Sequence, residues 1–270
     1  KIPCDPENTV DTCGTGGSGL PRFNTSTFVA FILASLGVPV LKHGNRAASG
    51  RCGSFDILAS LGLSVENPAE KVSIHFKKTN LGFLFAPLFH PAMKFAAGIR
   101  KKLGIRTIFN LLGPLSNPGL VKRQVIGVTS KFIAEKMIQV LKNLGSVHAF
   151  VVSGEDGLDE VTVTGKTLVY ELKDGKITSF HFDPTVYGIK TVPFQEIQGG
   201  TTEENSKLFL DLLEGRENGA RKNLVILNAA FGLMAAGFAE SIKEGIAKAK
   251  EALESGKVQS YFENYKKLLS

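Results

Sequence analysis

The sequence predicts an α/β protein with a mainly parallel central sheet flanked by helices. Two observations lead there. Short strand-like apolar runs alternate with helix-like ones, which is the pattern of a parallel sheet covered on both faces. Three loops of unusual chemistry, residues 14–19, 42–46 and 154–160, follow strand-like runs, and ligands of such sheets sit at the carboxyl ends of strands. With 270 residues, 43% of them apolar, the chain can bury a sizeable core as one large domain or two smaller ones.

The elements follow in order. Residues 10–13 read as a short strand entering a glycine loop, and 27–36 as a helix with Asn24 or Ser26 near its N-cap. "VPVLKHG" is a second strand ending at a glycine turn, and "SFDILASLG" a helix closed by Gly62. "NPAEKVSIHFKKTN" starts a helix with Asn67 as cap and Pro68 in its first turn. "GFLFAP" is strand-like, "HPAMKFAAGIRKKLG" and "RTIFNLLGPL" look helical, and Pro114 and Pro118 bracket a loop. The alternation resumes with strand "RQVIGV", helix "KFIAEKMIQVLKNLG" and strand "VHAFVVSG". After "EDGLDE" two strands, "VTVTGKTLVYEL" and "KITSFHF", meet at Asp174-Gly175, a tight-hairpin signal. Thr201 and Glu204 form a capping box, and the rest reads as three helices.

The bulk numbers narrow the function. The 32 basic and 25 acidic side chains leave +7, which favours an anionic partner, nucleic acid or a phosphorylated metabolite, or else means a generally basic surface. Cys4, Cys13 and Cys52 match no zinc spacing, and an odd number suits no full disulfide framework; reduced thiols in the cytoplasm are the simplest reading. The longest apolar run, 28–41, is broken by Ser35, Gly37 and Pro39 and is too short to span a bilayer. "KIPCDPENTV" lacks the apolar centre of a signal peptide, so no membrane partner is expected.

The loops carry the chemistry. "GTGGSG" can bring backbone amides close to an anion, and a helix start just beyond it adds unpaired amides and a positive dipole end. Asn24, Ser26 and Thr27 add short polar side chains there, so a phosphate or diphosphate fits; the alternative is a plain tight turn with a helix cap. The pattern is neither the Walker loop nor a good dinucleotide fingerprint. "KHGNR" puts Lys42, His43 and Arg46 around a glycine, suiting several phosphate charges, or a solvated basic turn. Asp159 and Glu160 side by side suit Mg²⁺, which takes few protein carboxylates plus ligand oxygens and water, or form a solvated acidic pair. Together the loops describe one site: amides and cations for phosphate, and a magnesium bridge.

The segments "GTGG", "NTST", "KHGNR", "GSFDILASLG", "FLFAPLFHPAMK", "RTIFNLLGPLSNP" and "LDE", in this order, resemble the anthranilate phosphoribosyltransferase family over residues 11–260. The resemblance implies a nucleoside phosphorylase/phosphoribosyltransferase-like fold: an α/β domain of residues 1–88 and 119–270, with 89–118 the remnant of a small helical domain. It implies transfer of the phosphoribosyl group of phosphoribosyl pyrophosphate to anthranilate, with Mg²⁺ as cofactor and a homodimer as assembly. Gly14, Thr15, Gly16 and Gly17 then correspond to the diphosphate loop, with Asn24, Ser26 and Thr27 as partners. Lys42 is a phosphate or ribose contact. His43, Asn45, His90 and Arg106 lie on the anthranilate side, Arg106 pairing its carboxylate. Ser26, Asp159 and Glu160 correspond to metal contacts. Lys42, Arg106, Asp159 and Glu160 are the expected catalytic set.

Three departures stand out. Ser18 replaces the usual acid after "GTGG", and Pro21 and Arg22 enter the loop, where Arg22 can add a phosphate contact. Only ten residues precede Asp11, where the family carries several helices. A fragment, or a chain completed by a partner, is the expectation, with Ile99, Leu103, Ile105, Ile108 and Leu112 left uncovered. The competing functions are a catalytically silent relative that binds nucleic acid through its basic surface, and a nucleoside phosphorylase, against which "KHGNR" argues.

Overall fold

The structure is a computed structural model that describes residues 2–16, 19–47, 52–93, 95 and 107–269. Its frame is a seven-stranded sheet made of β1 (Val10–Gly14), β2 (Val40–Gly44), β3 (Leu81–Phe85), β4 (Arg123–Gly127), β5 (His148–Gly154), β6 (Thr167–Lys173) and β7 (Lys176–Phe182). The spatial order is β3-β2-β1-β4-β5-β6-β7. Pairings from β3 through β5 are parallel, and β6 and β7 close the far side antiparallel. Alternate residues face opposite sides, as strand pleating requires. Val125, Phe150 and Val152 enter one apolar cluster, while Ile126, Ala149 and Val151 enter another.

Helices cover both faces. α1 (Thr25–Ser35) is buried nearly all round, as its unbroken apolar sequence demands. Phe28 and Phe31 in it pack edge-on against Phe209 of α7 (Thr202–Leu213). α8 (Ala220–Ala236), α9 (Ile242–Glu254) and α10 (Lys257–Leu269) complete that layer, with α2 (Ser54–Ser60) adding Phe55, Ile57 and Leu58. On the other face α3 (Ala69–Thr79) lays Val72 and Phe76 on Leu41 and Leu84, and α6 (Lys131–Asn143) lays Ala134, Met137, Ile138 and Leu141 on Ile126 and Val151. Two short helices, α4 (Ala86–Phe89) and α5 (Ile108–Leu115), stand beyond the carboxyl edge of β3 and β2.

Most expected elements are present, with three differences. The C-terminal region holds four helices rather than three, because Ser255 and Gly256 separate α9 from α10. The strand expected from residue 161 begins at Thr167; before it, the Thr162 and Thr164 hydroxyls both donate to Asp156, holding the backbone in an irregular turn. Asn67 is not the cap of α3: Pro68 is, and Asn67 donates to the Ser64 carbonyl. The hairpin signal holds, with Asp174 at φ 49° and Gly175 at φ 75° between paired Lys173 and Lys176. The Thr201–Glu204 capping box makes both of its bonds. Within 89–118, residues 94 and 96–106 lie outside the described residues, and with them Ile99, Leu103 and Ile105; Ile108 and Leu112 are exposed at 66% and 42%. Among the described residues no helix is long and apolar enough to cross a membrane, and all three cysteines are free thiols.

Candidate active site

Because β1, β2, β4 and β5 run parallel, their exits share one edge of the sheet. A cavity of about 930 Å³ opens there. Gly14, Thr15, Gly16, Asn24, Ser26, Thr27, Lys42, His43, Asn45, His90, Asp159 and Glu160 all line it. These residues come together from segments almost 150 positions apart. Gly17, Ser18 and Arg106 lie outside the described residues.

The glycine loop and the acid pair meet directly. The Gly16 amide donates to Asp159 Oδ2 at 2.7 Å, and Arg22 Nη1 donates to Oδ1 of the same buried carboxylate. A Cβ on Gly127 would sit 1.6 Å from the Asp159 carbonyl oxygen, and one on Gly14 would sit 2.3 Å from Asp159 Oδ2. Bare backbone at both strand exits is what admits the acidic turn. The turn is tied from the other side by Asn228 of α8, which accepts from the Val161 amide and donates to its carbonyl. Burial pushes the Glu160 carboxyl up to about 7, against the pull of the Arg22 guanidinium.

The start of α1 forms the next wall. Asn24 is its N-cap but makes no capping bond; its side chain donates to the Cys52 carbonyl at 3.3 Å and accepts from Asn205 Nδ2 at 3.0 Å. Ser26 Oγ accepts from Lys42 Nζ at 3.0 Å, and Thr27 Oγ1 is buried without a hydrogen-bond partner. Lys42 is itself buried and donates also to the Thr12 carbonyl. Burial pulls its ammonium below the usual lysine range, and the Asp11 carboxylate opposes that. Asp11, fully buried, is raised by desolvation to about 6, even though Lys42 and the Asn117 amide favour its charged form.

The opposite wall carries two histidines. Burial lowers His43 to about 4, so its imidazole is uncharged at neutral pH. Its Nδ1 lies 3.1 Å from the Gly113 carbonyl, which only accepts, so Nδ1 carries the proton and Nε2 is left as an acceptor. His43 Nε2 and His90 Nε2 are both buried without a partner, in rings 5.0 Å apart and edge-on. Asn45 is exposed at the mouth and accepts from the Arg46 amide.

The "KHGNR" loop therefore delivers one cation rather than two or three. His43 is neutral, and the Arg46 guanidinium bonds Asp56 and Glu66, fastening the loop to α2. Arg22 supplies the second positive charge, from the glycine loop itself. Asn117, Asn205 and Asn228 were not singled out from the sequence. For Asn228 a signal was present, since an amide inside the apolar stretch "VILNAAFG" has to hydrogen-bond something; Asn205, in "TEENSK", and Asn117, in "LSNPG", carry no such signal.

A doubly covered, mainly parallel sheet whose carboxyl edge sets an amide loop against paired acids is suited to a phosphorylated ligand, and the comparisons with known proteins place it among the glycosyltransferases. The sequence matches the glycosyl transferase family, a/b domain, over residues 6–259. It is 46% identical over 264 residues to an anthranilate phosphoribosyltransferase of Methanosarcina acetivorans, covering 98% of this chain and 71% of that one. It is 49% identical over 261 residues to one of Desulfitobacterium hafniense, covering 97% and 77%. The solved Thermus thermophilus enzyme superposes with a TM-score of 0.91 at 42% identity, covering 99% of this chain and 79% of that one. The Saccharomyces cerevisiae enzyme, solved in complex with PRPP and Mg, gives 0.88 at 30% identity, covering 98% and 74%. The chain belongs to the anthranilate phosphoribosyltransferase family.

Proposed function

We propose that the protein moves the phosphoribosyl group of phosphoribosyl pyrophosphate onto the amino nitrogen of anthranilate and releases pyrophosphate. The observation that carries this reading is the Gly16–Asp159 contact of 2.7 Å: the anion-binding loop and the acid pair belong to one cavity. At about 930 Å³ the cavity is at the large end for small-molecule sites, as two substrates require. The yeast relatives support the pair of ligands, one solved with PRPP and Mg and another with 4-fluoroanthranilate.

The glycine loop of Gly14, Thr15, Gly16 and Gly17 receives the diphosphate, with Asn24 and Thr27 beside it; the Thr15 amide itself donates to the Gly127 carbonyl and helps to hold the loop on the sheet edge. Lys42, held by Thr12 and Ser26, sets a fixed positive charge at the base of the cavity. Two adjacent carboxylates with a hydroxyl are a hard-oxygen donor set, which fits Mg²⁺; Asp159 and Glu160, with Ser26, are the residues that would hold it. Among the described residues no group of three or more His, Cys, Asp or Glu side chains forms a metal cage. Bound there, Mg²⁺ supplies positive charge where the leaving diphosphate accumulates negative charge. The amine of anthranilate is already a nucleophile, so the protein's own residues position and stabilise. His43 and His90 offer buried, unpartnered Nε2 atoms on the wall assigned to anthranilate, with Asn45 at its mouth, and Arg106 would pair the carboxylate in two-pronged fashion. The reading carries with it a cytoplasmic setting and a homodimer, the latter open to sedimentation equilibrium.

The test is loss of anthranilate fluorescence on mixing protein, phosphoribosyl pyrophosphate, anthranilate and Mg²⁺, abolished by chelation. Absence of turnover, joined to salt-sensitive binding of DNA or RNA, would instead favour a silent relative acting through the basic surface.

A further inference from the structure

We propose that Arg22 competes with the divalent cation for Asp159 and passes to the diphosphate when the cation prevails. This rests on the site reading above and adds a role for a residue outside the expected set. Four features support it. Arg22 Nη1 is bonded to Asp159 Oδ1, and the Gly16 amide holds Oδ2, so a guanidinium already neutralises the carboxylate that the metal needs. The Asp159 side chain is wholly buried while that of Arg22 is 28% exposed, so the arginine is the partner with room to move. The Arg22 backbone is pinned: it bridges Gln198, its carbonyl accepts from Asn205 Nδ2 at 3.1 Å, and a Cβ on Gly199 would sit 2.2 Å from that carbonyl. Movement is therefore confined to the side chain. Finally, Nη2 lies 3.9 Å from where a Cβ on Gly16 would project, so the guanidinium borders the amide loop and a diphosphate seated there is within its reach.

A guanidinium and a dication repel each other at one carboxylate, so metal alone binds against Arg22. A diphosphate gives the displaced guanidinium a new anionic partner, to which its planar fork is well matched. Metal and diphosphate consequently bind with positive coupling, and by linkage each tightens the other by the same factor.

The experiment uses Mn²⁺, followed by its electron paramagnetic resonance signal, and inorganic pyrophosphate. In the wild type, saturating pyrophosphate should tighten Mn²⁺ binding by about tenfold; in Arg22→Ala, Mn²⁺ alone should bind about tenfold tighter than to the wild type, with the coupling mostly lost. Because Arg22→Ala leaves a buried carboxylate unpaired and can impair folding, Asp159→Asn gives a second arm. In excess chelator it should bind pyrophosphate roughly fivefold more tightly than the wild type does, and the Arg22→Ala/Asp159→Asn double variant, which buries no lone charge, should lose that gain. Unchanged Mn²⁺ affinity in Arg22→Ala, or a gain that survives in the double variant, overturns the role of Arg22 while leaving the site intact. A wild type that binds no Mn²⁺ even with pyrophosphate overturns the site reading as well.

Discussion

At the scale of single residues, two buried titratable groups next to the cavity work against each other. Asp11 is raised from 3.8 to about 6 by burial, so between those values the folded state holds a proton that the unfolded chain has lost, and stability falls as pH rises. His43 is lowered from 6.5 to about 4, again by burial, so over nearly the same interval the unfolded chain holds the extra proton and stability rises with pH. The opposed slopes predict a flat contribution from this pair between pH 4 and 6. In Asp11→Asn the falling slope is removed. Its unfolding free energy relative to the wild type should climb by about 2 kcal/mol from pH 4 to 6, because a full proton's difference is worth about 1.36 kcal/mol for each step of one in pH and the difference is only partial at both ends of the interval. Urea midpoints at three pH values measure it; a difference that does not change with pH would refute the buried-carboxylate account. Arg106 gives a kinetic prediction of the same scale. If it grips the anthranilate carboxylate, Arg106→Ala should raise the KM for anthranilate by about tenfold or more and scarcely move that for the phosphoribosyl donor, with Arg106→Lys only partly restoring it. Equal damage to both substrates would place Arg106 elsewhere.

At the scale of elements, two glycines separate what local sequence determines from what long-range packing determines. Gly175 turns the β6–β7 hairpin at φ 75°, and a Cβ there would meet nothing within 4 Å. Gly175→Ala should cost about 1 kcal/mol in backbone strain and leave turnover untouched. Gly127 has no unusual φ, yet its Cβ would land 1.6 Å from the Asp159 carbonyl oxygen. Gly127→Ala should lose roughly 1–3 kcal/mol by overpacking and, by displacing the acidic turn, most of its use of the donor. Steady-state kinetics on folded protein distinguish them, and a Gly127→Ala variant with normal donor kinetics would mean that the turn does not depend on this contact. The same contrast explains what could be read in advance. The hairpin, the Thr201–Glu204 box and the alternation of strand and helix are local patterns, and they were legible. The break between α9 and α10 lies in a Ser-Gly pair that periodicity alone passes over. The Gly127–Asp159 approach, the tie of Asn228 to Val161 and the diversion of Arg46 to Glu66 join distant positions, and no local pattern announces them. The loops of the site were legible because anion chemistry needs recognisable residue types; which cation faces the acids was not, since Arg22 and Arg46 differ only in what the fold sets beside them.

At the scale of the whole molecule, the cavity gathers parts of the chain that lie far apart in sequence. Its walls come from the exits of β1 and β2, the start of α1, the short helices α4 and α5, the turn after β5, and Asn228 of α8. A ligand that bridges these walls adds to the free energy of the folded state without any affinity for the unfolded chain, so binding registers as global stability. Mg²⁺ alone has to contend with Arg22 at Asp159, and pyrophosphate alone has to contend with the Asp159 carboxylate at the Gly16 amide. Each by itself should therefore shift the melting temperature little. Together, at about a hundred times their joint dissociation constant, they should add about 2.7 kcal/mol, which for a chain of this size corresponds to roughly 5–10 °C. Thermal melts with Mg²⁺, with pyrophosphate, with both, and with both plus chelator measure the effect directly. Additive shifts from the two ligands would show that they occupy separate sites and would break the link between the glycine loop and the acid pair; a joint shift well beyond the sum, abolished by chelation, is the outcome that the shared carboxylate requires.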